Sequence, residues 1–316
     1  MRRVVCRAFA PLSELVVEEA PDLVAGDGQV VIDVTAAGAS FADALMVQGR
    51  YQVKPPLPFT PGMEVAGTIS GTDERVVALS WASGYASQVV VPATAALPVP
   101  GGVSDGQAAT LIQSYATMLH AFTQRTTVRP GEWVAVLGAG GGIGLAAIDL
   151  AKGLGANVVA CASTDAKLDA ARAAGADATI AYEDAGVDLK TAIREVTGGG
   201  ADVVVDPVGG DKAEAGLRAL RFGGRFLVIG FAAGSIPSLP ANQILLNSRT
   251  VVGVEWGGWA IRDPAGNQQL VRELLDLVAA GKVHPVEPVA YPLEDVARCL
   301  ADLEERRVTG KCVLVP

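Results

Sequence analysis

The sequence predicts an α/β protein in which a doubly wound parallel sheet is inserted into a β-rich domain. Three observations lead there: a strand, glycine turn, helix and strand in succession over residues 133–163; further alternating strands and helices after it; and a first hundred residues of short strands cut by Gly and Pro.

Val134–Leu137 is a short apolar run of the kind that sits in a sheet buried on both faces. The glycines from Gly138 to Gly144 then let the chain turn sharply and approach a phosphate closely. The pattern departs from Gly-x-Gly-x-x-Gly, because the frame ending on Gly144 reads Ala139-x-Gly141-x-x-Gly144, and with 37 glycines in the chain it is weak alone. Context strengthens it: a strand precedes, a helix opens at Ile143 with Ala146, Ala147, Leu150 and Ala151 at packing spacing, and a second apolar strand follows. Gly138, Gly141, Gly142 and Ile143 are therefore candidates to meet a dinucleotide pyrophosphate through backbone N–H groups at a helix N-terminus.

The end of the second strand separates the two nicotinamide cofactors. A NAD site places Asp or Glu there, roughly 20 residues beyond the glycines, on the ribose 2′-hydroxyl. This chain has Cys161-Ala162-Ser163-Thr164, and its first acid, Asp165, reads as a turn residue or helix start. Ser163, Thr164 and Lys167 can instead donate to a 2′-phosphate, which favours NADPH; Lys167 taken alone also reads as a solvated lysine on a first helical turn.

Further strands are expected at Val4–Ala8, Gly28–Ala36, Val65–Ser70, Arg75–Ala78 and Gln88–Pro92, a compact β barrel or sandwich, and then at Val158–Cys161, Ala178–Ala181, Val203–Asp206, Arg225–Ile229 and Thr250–Val254. A helix over Leu293–Glu305 and the strand-like Lys311–Val315 follow, and that last strand can return to the N-terminal β domain. Domain limits are expected near residues 1–108, 109–285 and 286–316, the first and last forming one discontinuous domain.

Composition narrows function. A formal charge of −9 without a compensating Lys/Arg stripe argues against nucleic-acid or anionic-membrane binding. No run approaches the roughly 18 apolar residues of a membrane span, and the N-terminus reads as a first strand, so a cytoplasmic protein is expected. The four cysteines, Cys6, Cys161, Cys299 and Cys312, have no Cys-x-x-Cys spacing, and with His120 and His284 they suggest no zinc cluster.

Several ordered blocks resemble the zinc-free quinone oxidoreductase branch of the medium-chain dehydrogenase/reductase superfamily. They are Ala37-Gly38-Ala39-Ser40-Phe41-Ala42-Asp43, Pro61-Gly62-Met63-Glu64-Val65-Ala66-Gly67, the glycine turn, Asp206-Pro207-Val208-Gly209-Gly210, Gly230-Phe231-Ala232-Ala233-Gly234 and Thr309-Gly310-Lys311. The resemblance implies a GroES-like catalytic domain, a Rossmann cofactor domain, a cleft between them, NADPH as hydride donor and a homodimer. Zinc members carry Cys where Ser40 stands and His where Met63 stands, so this chain lacks those ligands. Reduction of a polarised acceptor, a quinone or an α,β-unsaturated ketone, needs positioning more than a metal.

By resemblance, Tyr182 joins Ser163 and Lys167 around the 2′-phosphate, though it also reads as a strand-end aromatic. Val208, Phe231, Ala232 and Lys311 are expected on the cofactor. Ser40, Tyr51 and Tyr115 are the catalytic candidates, with Asp43 and Trp256 in the acceptor pocket; Tyr115 also reads as a core residue of an amphipathic helix. No dedicated proton donor stands out, so the proton is expected from solvent or a tyrosine. An enoyl-thioester reductase and a cofactor-binding protein with a sensing or structural role are the alternatives.

Overall fold

The computed structural model describes all of residues 1–316. The chain divides into two compact units, Met1–Gln113 with Pro285–Pro316, and Ser114–His284.

The first unit is built on the eleven-residue strand Gln29–Ala39. Its β-branched Val30, Val31, Ile32 and Val34 suit a pleated, half-buried surface, and its length lets it serve several partners. Antiparallel to it run Gln88–Pro92 on its first half, Glu64–Ile69, and Cys312–Val315, which pairs at Ala37–Ala39. The sheet continues through Arg75–Leu79 and Leu97–Pro98 on one side and through Val289–Pro292 on the other. Ile32, Val65, Val76, Val89 and Leu314 fill its core with the helix residues Ala44, Val47 and Leu300. The final strand thus returns to the N-terminal sheet, as its isolation from helices suggested.

Three strands escaped the sequence reading: Val16–Glu19, Leu97–Pro98 and Val289–Pro292. Each is short and lies at a sheet edge, so no alternating pattern can develop. The first strand spans Arg2–Val5 rather than Val4–Ala8, with Cys6 making only an isolated bridge to Phe59. The expected helix Leu293–Glu305 divides into a tight turn at Leu293–Asp295 and a regular helix over Val296–Glu304.

The second unit is an all-parallel sheet in the order Ala178–Ala181, Asn157–Ala162, Trp133–Leu137, Ala201–Asp206, Leu220–Val228, Thr250–Gly253. Numbered along the chain, that order is 3-2-1-4-5-6, the doubly wound dinucleotide arrangement. Ala135, Leu137, Val204 and Phe226 are fully buried, as strands covered on both faces require. The direction of winding reverses at Trp133–Leu137, so the crevice at its carboxyl end is where such a sheet takes a ligand.

Candidate active site

In the second unit the candidate residues converge on the carboxyl ends of neighbouring strands. The helix Gly142–Gly153 starts one turn after Leu137, with Gly141 as its N-cap. A β-carbon on Gly144 would lie 2.5 Å from the carbonyl oxygen of Gly138, which explains why the turn closes only around glycine. At Gly141 the nearest atom to such a β-carbon is 3.6 Å away and the residue is exposed, so the loop leaves an open cradle in front of the helix N-terminus.

Two other loops flank this turn. Val208 follows the strand Ala201–Asp206 and lies against Gly138, its Cγ2 only 2.7 Å from where a β-carbon there would stand. The buried Asp206 carboxylate accepts from the N–H groups of Val208 (2.9 Å) and Gly209 (2.8 Å), fixing that loop. Burial pushes the Asp206 carboxyl up, and these two bonds oppose the shift. Phe231 and Ala232 follow the strand Leu220–Val228; Ala232 N–H donates to the Pro207 carbonyl (3.1 Å), and Phe231 is 39% exposed. The structure therefore brings Gly138, Gly141, Gly142, Ile143, Val208, Phe231 and Ala232 to one edge of the sheet.

The residues expected around a 2′-phosphate lie on the other side of the turn. Ser163, half-buried, directly follows the strand Asn157–Ala162, and no carboxylate occupies its position. Thr164 caps the helix Asp165–Ala173 by accepting from Lys167 N–H, so its hydroxyl serves that helix. Lys167 lies across the glycine turn: a β-carbon on Gly140 would meet Lys167 Cβ at 2.4 Å. Tyr182, just past the next strand, packs on the sheet's apolar cluster and carries Lys212 Nζ 5.3 Å from its ring centre. Lys212 also pairs with Glu183 at 3.4 Å, and sequence reasoning had not singled it out. Nothing local marks it, since it reaches Tyr182 from a helix beyond the following strand.

In the first unit, Ser40 caps the helix Phe41–Val47 in a reciprocal box with Asp43. Asp43 Oδ2 accepts from Ser40 N–H at 2.9 Å and from Ser40 Oγ at 2.6 Å. This corrects the expectation that Asp43 lines an acceptor pocket: it has no exposed surface and sits behind Ser40. Burial pushes its carboxyl up to about 6, against the lowering effect of Ser40, Tyr85 and Lys311. Tyr51 is half-buried against the core of this unit. Lys311, expected on the cofactor, donates to Glu64 Oε1 at 3.2 Å, and Glu64, 1% exposed, also accepts from Gln113 N–H. The pairing of Cys312–Val315 with Ala37–Ala39 places Lys311 in that ion pair.

Two aromatic candidates are core residues. Tyr115, 4% exposed, donates its hydroxyl to Asp149 Oδ2 at 3.1 Å; His284 N–H donates to the same oxygen. The phenol expected to deliver a proton is thus committed to a buried carboxylate. Trp256, also 4% exposed, donates from Nε1 to Asn267 at 3.0 Å, which removes it from an acceptor pocket.

Comparison with known proteins fits this arrangement. Residues 142–280 match the family model described as zinc-binding dehydrogenase, and residues 26–101 match the alcohol dehydrogenase GroES-like domain. The mouse quinone oxidoreductase-like protein 2 is 35% identical over 311 residues, covering 95% of this chain and 88% of that one. Among solved structures, a probable oxidoreductase from Mycobacterium abscessus is 37% identical with a TM-score of 0.87, covering 100% of this chain and 99% of that one. The quinone oxidoreductase of Thermus thermophilus, solved also as its complex with NADPH, is 32% identical with a TM-score of 0.86 and full coverage of both chains.

The chain belongs to the quinone oxidoreductase branch of the medium-chain dehydrogenase/reductase superfamily, with a GroES-like domain and a Rossmann domain. It is by that membership an oxidoreductase. Its residues do not fit the metal in the matched family's description: Ser40 and Met63 offer no thiolate or imidazole, and no three His, Cys, Asp or Glu side chains are grouped to hold an ion. No helix is long and apolar enough to cross a membrane.

Proposed function

We propose that the protein is an NADPH-dependent reductase of quinones or α,β-unsaturated carbonyl compounds that works without zinc. The observation that carries this reading is the end of the strand Asn157–Ala162, where Ser163 replaces the usual acid and Lys167 is laid across Gly140. A carboxylate there would repel a 2′-phosphate, whereas a hydroxyl and an ammonium attract it.

Gly141, Gly142 and Ile143 would hold the pyrophosphate through backbone N–H groups, Ser163, Lys167 and Tyr182 the 2′-phosphate, and Val208, Phe231 and Ala232 the nicotinamide. Bound NADPH supplies the hydride. Ser40 would donate a hydrogen bond to the acceptor carbonyl and Tyr51 would supply an aromatic wall. A polarised acceptor of this kind needs charge stabilisation at one oxygen rather than a Lewis acid to activate an alcohol.

A second copy of the chain is proposed as a partner. Thr250–Gly253 is an edge strand of the parallel sheet, and Leu245, Leu246 and Ile261, 78%, 71% and 61% exposed, lie close to it in sequence. An open edge beside exposed apolar side chains suits sheet continuation across a two-fold axis. Light scattering after gel filtration tests this: a dimer for the native chain and a monomer for Leu246→Glu with Val251→Lys support it, and a native monomer rejects it.

The functional reading is tested by dissociation constants for NADPH and NADH measured by fluorescence, followed by turnover with a quinone and an enone in chelator-treated buffer. Tighter binding of NADPH with turnover of either acceptor supports it. Equal affinities, or turnover abolished by chelator, reject it.

A further inference from the structure

Behind Ser40 lies a fully buried polar cluster that the proposed chemistry does not yet use. Asp43 and Tyr85 both have no exposed surface, and apart from each other Asp43 Oδ1 and Tyr85 Oη have no hydrogen-bond partner. The two groups interact: the Tyr85 hydroxyl lowers the Asp43 pKa, and the carboxylate helps raise that of the phenol after burial has raised it more. The other titratable groups acting on the cluster are Lys311, which lowers the Asp43 pKa, and the buried thiols Cys299 and Cys312, which act on Tyr85. Lys311 is itself paired with Glu64. A helix cap alone would need only the Oδ2 contacts and would favour a solvated carboxylate; full burial of the carboxyl favours the neutral acid.

We propose that Asp43 is a positioning residue that stores a proton behind Ser40 and passes it through the Ser40 hydroxyl to the acceptor oxygen. The inference rests on the reading that Ser40 meets the acceptor. In the carboxylate form Ser40 Oγ donates to Asp43 Oδ2 across 2.6 Å; in the acid form the same contact carries the proton outward. The acceptor receives both electrons with the hydride. Its oxygen forms an O–H bond as the Ser40 Oγ–H bond breaks, Oγ takes the proton from Asp43 Oδ2, and the carboxylate regains one from solvent through Ser40 after product leaves. Asp43 has no exposed surface, so Ser40 is the route by which the cluster exchanges its proton.

The test is the pH dependence of kcat, with a quinone and an enone, between about pH 5 and 8.5, together with isotope-edited infrared spectra of the NADPH-loaded enzyme without acceptor. The native enzyme holds its kcat below pH about 6 and loses it above, because Asp43 must carry the proton. Asp43→Asn, which keeps an acceptor for the Ser40 N–H, loses about 100-fold in kcat at low pH with a flat profile and an unchanged KM for NADPH. Tyr85→Phe retains the profile but moves its fall to higher pH, since the hydroxyl holds the Asp43 pKa down. A carboxylic-acid C=O band titrates in the native protein and is missing in Asp43→Asn. An unchanged profile in Asp43→Asn, a native profile that falls below pH about 6 instead of above it, or a missing band in the native protein overturns the proposal while leaving the reductase reading intact. Failure of the native enzyme to reduce any acceptor overturns both.

Discussion

The two units make their polar sites from different materials. In the second unit the cradle is backbone: N–H groups of a glycine turn at a helix end, with the Asp206 carboxylate bracing a neighbouring loop. In the first unit the site is made of side chains, Ser40 and Asp43 in front of Tyr85, placed together inside a β-sheet core. A backbone cradle depends on steric permission and fails abruptly where an added β-carbon would run into the chain, as at Gly144 but not at Gly141. A side-chain cluster depends on protonation and solvation, and changes by degrees.

The most severe challenge to that contrast is a substitution at Gly144. Gly144→Val adds atoms 2.5 Å from the Gly138 carbonyl, so the turn must open; NADPH affinity is expected to fall at least about 100-fold, read by fluorescence titration, with a loss of roughly 3 kcal/mol in stability. Near-native affinity would mean the turn does not form the cradle.

In the first unit the expected effect has the opposite sign. The folded-state pKa of Asp43 is raised from 3.8 to about 6, so the native state keeps a proton that the unfolded chain has released. Stability therefore falls as pH rises from about 4 to about 6 and stays lower above it, by an amount on the order of 3 kcal/mol. Asp43→Asn should remove that loss: urea denaturation should find it more stable than the native chain at pH about 8 and similar at pH about 4. A uniform destabilisation at both values would show that Asp43 acts only as a cap.

Milder substitutions probe the second unit more finely. Lys167→Ala should raise the KM for NADPH about tenfold and leave that for NADH unchanged, since only a 2′-phosphate calls on the ammonium. Tyr115→Phe should cost about 1 kcal/mol in thermal or urea unfolding, through the lost bond to the buried Asp149, while kcat stays within about twofold. A large fall in kcat would restore Tyr115 as a proton donor.

The same difference explains what could be read before the fold was known. The strands around the glycine turn were legible because apolar runs, glycines and helix spacing are local, and their alternation with helices pointed to a doubly wound parallel sheet, while the strand order came only with the pairing itself. The Ser40–Asp43 spacing was also visible, but its role was not, because Tyr85 comes to it from a distant part of the chain. Lys311 was expected on the cofactor, yet its partner Glu64 lies 247 residues away, and strand pairing decides such contacts. Tyr115 and Trp256 looked available as aromatics; that their polar atoms are bound to Asp149 and Asn267 is a tertiary fact.

Metal-free reduction of a conjugated carbonyl at the expense of NADPH stands or falls on initial rates of NADPH and NADH oxidation with a quinone and an enone, with and without chelator. Turnover that prefers NADPH and is indifferent to chelator is the expected result. Tight NADPH binding with no turnover of either acceptor would contradict it.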